Sequence, residues 1–290
     1  MRTVLGLLPA VGKQRLKSRV GSLRRFWAER FRSYDARELA TALLNLGVRP
    51  GDVLLMHSAF VPTNGFRGSP QALIEVILEL LGRQGTLVMT SMAYASSTRD
   101  YLATHPCFDV RRTPSKMGVV TEIMRRRGGT LRSLSPTHPL IAYGARAESL
   151  LEGHDRCEFP CGPGSPFEKM LMVGGKMLYF DLPFIGFTFV HYIEHQIRER
   201  LPFALYDPTP LRAILVDYAD VRRELEVYVF SEEAVRRRQV GVITEAMRAA
   251  GTAHWRWIGN TQLVVASMQD ALATGLRLSE TGRFPFEPAG

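Results

Sequence analysis

Val53-Leu54-Leu55-Met56, Ser69-Pro70 running on to Leu81-Gly82, and Thr86-Leu87-Val88-Met89 decide how this chain folds. The first and last pieces are short apolar runs of strand length. Between them, Ser69-Pro70 has the composition of a helix start and Gly82 that of a helix stop. Strand, helix and strand in this order are the unit of an α/β sheet. Upstream, Asp35 and Glu38 have capping-box spacing ahead of a helix over 39–46, which Gly47 ends. Downstream, 115–127 reads as helix, 140–143 as strand, Ser165-Pro166 as a helix start, 176–180 as strand and 188–200 as helix. Strands at 211–216, 224–229, 254–258 and 263–266 surround one helix over 232–249. The expectation is an α/β fold: one three-layer-like domain over 34–290 with a mixed sheet, more antiparallel in its C-terminal half. A basic amphipathic helix in residues 1–33 precedes it.

The chain has 290 residues, 46% of them hydrophobic, enough for a sizeable core. No apolar run reaches the about 18 residues of a membrane span. Cys107, Cys157 and Cys161 form no disulfide framework, so a reducing cytoplasm is the expected compartment. Cys157 and Cys161 have no second pair with which to complete a metal site. The net charge of +9 is concentrated. Arg2, Lys13, Arg15, Lys17, Arg19, Arg24, Arg25, Arg30 and Arg32 face one acid, Glu29, so residues 1–32 carry +8 of it. Leu16, Val20, Leu23, Trp27 and Phe31 fall on one helical face of this segment. Such a face suits packing on the body of the chain or on a second subunit, as in a homodimer, or an anionic membrane surface touched peripherally. Nucleic acid does not fit, because no reading motif or aromatic-basic platform follows.

Three fragments carry the chemistry: Pro136-Thr137-His138, Gly162-Pro163-Gly164-Ser165-Pro166, and the run from Thr188 through His191 and Glu194 to His195. Each is weak alone; their order over sixty residues suggests a site built from loops and helix starts. With Thr188 as cap, His191 falls at the third helical position, where positive potential favours a neutral imidazole, the form a general base needs. Glu194 and His195 lie three and four residues on, on the same face. The Gly/Pro loop precedes a helix whose amides suit an anion or a developing oxyanion. His57 ends the first strand, and His138 sits in a loop stiffened by Pro136 and Pro139. His191-x-x-Glu194-His195 also matches an inverted zincin pattern, which needs a third ligand such as Glu245. From these residues alone, zinc hydrolysis and acyl transfer both stay open, as does a non-catalytic protein that binds coenzyme A or membrane.

A longer series of matches runs from about Asp35 to Asp207. It comprises Gly51 through Ser58, Gly85 through Met89, Phe108-Asp109, Thr113-Pro114-Ser115-Lys116-Met117-Gly118, Arg132-Ser133, Pro136 through Pro139, Cys161 through Pro166, Gly174-Gly175-Lys176, and Thr188-x-x-His191-x-x-Glu194. In this series the chain resembles the aminoglycoside 3-N-acetyltransferase family, which has the antibiotic N-acetyltransferase fold. The resemblance implies transfer of an acetyl group from acetyl-CoA to an amino group of an aminoglycoside or other amino sugar, with no metal. It implies His191 as general base, with Glu194 and Thr188 of the same motif beside it; His57, at its strand end, is a secondary catalytic candidate read from its position. Ser58, Thr113, Ser115, Met117 and Arg132 map to segments that face the coenzyme, and His138 is placed with them. One stretch departs from the family pattern. Antibiotic-modifying members carry a polar stretch with an acid and Asn-Thr before the histidine; here it is Pro183-Phe184-Ile185-Gly186-Phe187-Thr188. Ile185 and Phe187, with His195, are therefore read as acceptor-facing. Their apolar wall suits a less charged amino sugar, nucleotide- or lipid-linked, of the kind used in glycan assembly.

Overall fold

A computed structural model describes Trp27, residues 30–95 and residues 97–287. The expected strand–helix–strand unit is present as β1 (Val53–Ser58) and β2 (Thr86–Thr90), parallel neighbours joined by a helix over Pro70–Leu81. With α1 at Ala36–Asn45, that helix is α2. Both helices start as the sequence dictates. Asp35 accepts the Glu38 amide while Glu38 accepts the Asp35 amide, and Ser69 accepts the Ala72 amide ahead of Pro70.

The chain continues through α3 (Thr98–Thr104), β3 (Cys107–Asp109), α4 (Val119–Arg125), β4 (Leu131–Arg132) and β5 (Leu140–Gly144). Then come α5 (Ala147–Leu151), α6 (Pro166–Met172), β6 (Lys176–Phe180), α7 (Val190–Gln196), β7 (Leu211–Val216) and β8 (Arg222–Val227). The last elements are α8 (Glu232–Arg237), α9 (Gly241–Ala249), β9 (Ala253–Ile258), β10 (Thr261–Ser267) and α10 (Met268–Glu280).

Seven strands form one mixed sheet in the order β4-β5-β2-β1-β6-β10-β9. Its centre, β2-β1-β6, is parallel, and every strand added outside it pairs antiparallel. A second sheet, β3-β7-β8, stands apart. Strand alternation sorts the large sheet's side chains into two layers. Leu54, Met56, Leu87, Met89, Leu178 and Phe180 are buried with α1, α2 and α4. Val53, Leu55, Val88, Met177 and Tyr179 are buried with α5, α6, α7, α9 and α10. The expected three-layer mixed α/β architecture is what forms.

The N-terminal ends of the parallel strands are closed structurally. Lys176 binds Asp52 at 2.7 Å and the Gly47 carbonyl at 2.8 Å. Their C-terminal ends, where His57, Ser58, Ser91 and Asp181 emerge, are where an open α/β sheet takes ligands.

Three expectations are corrected. The helix read over 115–127 starts only at Val119, because the Lys116 amide donates to the Met92 carbonyl and Gly118 takes φ +104°. The helix read over 232–249 is two helices, broken at Arg238, whose backbone is extended. The closing helix α10 has no counterpart in the sequence reading. The basic N-terminal helix lies mostly outside the described residues; Trp27, Arg30 and Phe31 are helical.

Candidate active site

The site is organised around a buried carboxylate. Helix α7 turns its apolar face into the core, and that face also carries Glu194, fully enclosed. A buried carboxylate costs several kcal/mol unless it is paired and hydrogen-bonded. Here the break between α8 and α9 supplies the partner. Arg238 leaves the helical path and donates from Nε to Glu194 Oε1 at 2.7 Å and from Nη2 to Oε2 at 3.0 Å. Its guanidinium also lies over the Phe230 ring, 4.6 Å from the centroid. Burial by itself would raise the Glu194 carboxyl, but Arg238 and then His191 outweigh it and hold it below the ordinary value.

His191 lies one turn earlier on α7, its Nδ1 3.0 Å from Glu194 Oε2. An ionised carboxylate only accepts, so Nδ1 carries the proton and Nε2 keeps its lone pair. Burial lowers the His191 pKa against the opposing pull of Glu194, so the ring is neutral at pH 7. A partly open side chain, neutral and oriented by a fixed acid, has what a general base requires. The route to this state differs from the expected one. Thr188 does not cap α7 with its hydroxyl; its carbonyl receives the His191 amide at 3.1 Å, and no side chain caps the helix. Neutrality comes from burial rather than from the helix start.

His138 stands edge-on to His191, with ring centroids 5.5 Å apart, and to Phe230 at 5.6 Å. Expected on the coenzyme side, it belongs instead to the His191 group. Burial, then the neighbouring His191, holds its pKa well below the ordinary value, and its Nδ1 has no partner among the described residues. Its loop is braced: Tyr94 donates to the Thr137 carbonyl at 2.6 Å, and His138 N donates to Ser135 Oγ at 3.2 Å.

His195 is buried, and its hydrogen bond goes to another residue. Its Nδ1 lies 3.1 Å from the Tyr206 hydroxyl, and its ring packs against Phe159 and Gly162, where a Cβ would approach to 3.0 Å. It shapes the core beneath a cleft of about 400 Å³ between Phe159, Leu201, Phe203, Tyr206 and Tyr228, and does not present itself to an acceptor. Phe187 is likewise a core residue, stacked on Phe184, because its side chain points under the loop; of the two, only Ile185 is open. The Gly162–Pro166 loop does start α6, but the helix's own Glu168 accepts the Gly164 amide at 2.7 Å, so that donor faces no substrate. The inverted zincin pattern also fails on its chemistry. Glu194 is committed to Arg238 and His191, Glu245 is exposed on α9, and no group of three metal-binding side chains occurs among the described residues.

The residues mapped to the coenzyme gather at the C-terminal ends of β1 and β2. Ser115 Oγ accepts the Met117 amide at 3.2 Å and lies 3.5 Å from the Met92 carbonyl, so segment 113–118 folds across these ends. Gly118 faces the Ser58 carbonyl there. Thr113 is half-buried, its hydroxyl accepting the Asp109 amide at 2.8 Å. A groove of about 410 Å³ runs alongside between Ser115, Gly118, Val119 and Ile123, with Lys116 and Arg126 on its rim. Arg132 is a correction. It is buried, stacks over Phe108 at 4.6 Å and donates to the carbonyls of Thr113 and Ser91, so it braces this edge from beneath. Enclosure without an acid lowers its pKa to about 10.

His57 stacks on Tyr179 at 4.9 Å, and burial lowers its pKa to about 4. It adjoins the strand ends and does not join the His138–His191–Phe230 group. Around it, His57 Nε2, Ser58 Oγ, Ser91 Oγ, Tyr179 Oη and Asp181 Oδ2 are enclosed without a partner among the described residues. Native interiors leave few polar atoms so, and these five lie at or next to the ends of neighbouring strands, which makes the place a candidate ligand site. Sequence reading missed Arg238, Phe230 and Asp181. Asp181 carries a signal only in the backbone, a φ of +58° at a non-glycine residue.

Comparison with known proteins agrees with this fold. The sequence profile of the aminoglycoside 3-N-acetyltransferase family matches residues 55–279. The chain is 28% identical over 169 residues to aminoglycoside N(3)-acetyltransferase VII of Streptomyces paromomycinus, covering 54% of this chain and 58% of that enzyme. It is 26% identical over 185 residues to aminoglycoside N(3)-acetyltransferase III of Pseudomonas aeruginosa, covering 60% and 68%. It thus spans a little over half to two thirds of these relatives. The crystal structure of aminoglycoside acetyltransferase AAC(3)-Xa superimposes with a TM-score of 0.70 at 26% identity, covering 86% of this chain and 93% of that one. A coenzyme-bound structure of AAC-IIIb shares the fold, with a TM-score of 0.71 at 23% identity and coverage of 88% and 99%. With the profile matched across most of its length, this chain belongs to the aminoglycoside 3-N-acetyltransferase family.

Proposed function

We propose that the protein transfers an acetyl group from acetyl-CoA to an amino group of an amino sugar of the aminoglycoside kind, with His191 as general base. The observation that carries this is the buried Arg238–Glu194–His191 array, which leaves one imidazole nitrogen without a proton on a ring that is partly open to solvent.

As the neutral amine attacks the thioester carbonyl, a C–N bond forms and His191 Nε2 takes the amine proton. Glu194 stabilises the resulting imidazolium without taking its proton. When the C–S bond breaks, His191 returns the proton to the departing coenzyme A sulfur. Atoms and charges balance with no other reactant. The groove beside Ser115 suits the coenzyme, since Lys116 lines it and matches phosphate, while Arg126 there is paired with Glu122. A relative solved with gentamicin bound, AAC(3)-IVa, has the same fold at 24% identity and a TM-score of 0.70.

A second acceptor class is favoured by one feature. The cleft beside Tyr206 is aromatic, and the carboxylates at its edge are paired: Asp207 with Arg99, and Glu199 with Arg198. This suits an amino sugar of lower charge, nucleotide- or lipid-linked. Coenzyme A release measured against aminoglycosides and nucleotide amino sugars separates the two. His191→Ala should lower kcat at least about 100-fold with little change in coenzyme affinity, because it removes the base from the chemical step. Wild-type turnover by that variant would make His191 structural and refute the mechanism.

A further inference from the structure

Several large apolar side chains of this protein are open to solvent. Trp27 is 60% exposed, Phe31 59%, Ile185 69%, Trp257 64% and Val61 43%. They belong to segments that leave the same edge of the large sheet. Val61 follows β1 and Ile185 follows β6. Trp257 is near the end of β9, which two antiparallel pairings turn parallel to β6. The N-terminal segment reaches this edge at Arg32, whose carbonyl lies so close to Gly65 and Gly259 that neither has room for a Cβ. Trp27 and Phe31 stack on each other at 4.6 Å and make a single apolar ridge. The third tryptophan, Trp255, is instead half-buried against Phe184.

The charge joined to this ridge is one-sided. Residues 1–32 carry nine basic side chains and one acid, and Arg30, Arg32 and Arg67 are exposed beside the ridge. We propose that this edge docks on an anionic lipid bilayer, with Trp27, Phe31 and Trp257 in the headgroup region and the basic residues on lipid phosphates. Exposed tryptophan beside dense positive charge is the composition of an interfacial anchor. A second copy of the chain is disfavoured as the occupant, because it would bring two segments of charge +8 together. No described helix is long and apolar enough to cross a membrane, so the contact would be peripheral. His57 and Ser58 end at the same edge, which would set the bilayer beside the strand-end crevice. The inference stands on the surface and holds whichever amine is acetylated.

The test is co-sedimentation of the full chain with vesicles of phosphatidylcholine alone, or mixed with phosphatidylglycerol. Binding to the mixed vesicles at low salt, absent on phosphatidylcholine and reversed by added salt, is expected. Trp27→Ser with Phe31→Ser, and separately Trp257→Ser, should each weaken it about tenfold or more while melting temperature stays at the wild-type value. No binding by the wild-type chain would overturn the proposal. So would undiminished binding by the folded serine variants, which would reduce the contact to charge alone. If the substitutions instead convert a dimer to a monomer in sedimentation analysis, with no change on vesicles, the ridge is an interface between copies and the proposal falls.

Discussion

Two polar regions lie within this fold, and they are built on opposite principles. Around Glu194 the charges are matched: the carboxylate receives two bonds from Arg238 and one from His191. At the C-terminal ends of β1, β2 and β6, enclosed polar atoms of five residues have no partner among the described residues. Matching fixes a geometry before any substrate arrives, and preorganisation of this kind is what acid–base catalysis needs. Leaving atoms unmatched costs stability and is worthwhile only where a ligand completes them. The first region is therefore read as the machine and the second as the seat.

Breaking the matched region should have the largest effect. Arg238→Met leaves Glu194 buried and unpaired, which should cost about 3–5 kcal/mol of stability in urea unfolding. Adding Glu194→Met to that variant should recover much of the loss, since no lone charge remains. The pH dependence follows from the lowered Glu194 pKa. Its contribution is present above the ordinary carboxylate value and is lost as pH falls through the lower folded value, so the wild type should lose its advantage over the double variant only in acid. If Arg238→Met unfolds like the wild type, Glu194 has another partner and the contrast between the regions disappears.

This region also shows where sequence reading stops. The strands β1, β2, β6 and β7, the helix α2 and the caps at Asp35, Ser69 and Ser165 were legible, because periodicity, Pro and Gly act locally. Glu194 beside His191 was legible from helical spacing. Arg238 was not. It sits within a run of helix-favouring residues, Arg236-Arg237-Arg238, and nothing local marks the third as different. The break that turns it inward follows from tertiary demand, a buried carboxylate 44 positions earlier in the chain. The same limit explains Phe187. Its apolar character is visible in the sequence, but whether it faces acceptor or core depends on the path of its loop over Phe184. The helix read over 115–127 failed in reverse, because its first turn is drawn to the Met92 carbonyl on another strand.

A smaller effect is expected at the strand ends. Ser58 Oγ is enclosed without a partner, so Ser58→Ala removes an unsatisfied group. Unfolding free energy should stay level or rise by about 0.5–1 kcal/mol. The KM for acetyl-CoA should rise about fivefold, the worth of one hydrogen bond gained on binding. A clear loss of stability with unchanged KM would mean that the hydroxyl serves the fold, and the seat would lose one of its members.

The smallest effect, and the sharpest in sign, belongs to Asp181. It ends β6 with φ +58°, a conformation Asn tolerates as well as Asp, so Asp181→Asn leaves the backbone at ease. Burial raises the carboxyl to about 6, against the amide of Val61, which an Asn oxygen can still accept. A raised folded pKa means the residue's contribution is fully present below the unfolded value near 3.8 and is lost as pH rises through about 6. The variant should therefore match the wild type near pH 4 and melt slightly higher at pH 8. The gain should be on the order of 1 kcal/mol or less, because the side chain is only half-enclosed and solvent screens it. Glu194→Gln should show the opposite sign at pH 8, since there the charge is matched and its loss strands Arg238. In the same series, the KM of Asp181→Asn for an amine acceptor should rise if this carboxylate receives the acceptor's ammonium group. A variant less stable than wild type at pH 8 would show that Asp181 is already paired in the folded protein. The strand ends would then be matched like the centre around Glu194, and the division between machine and seat would not hold.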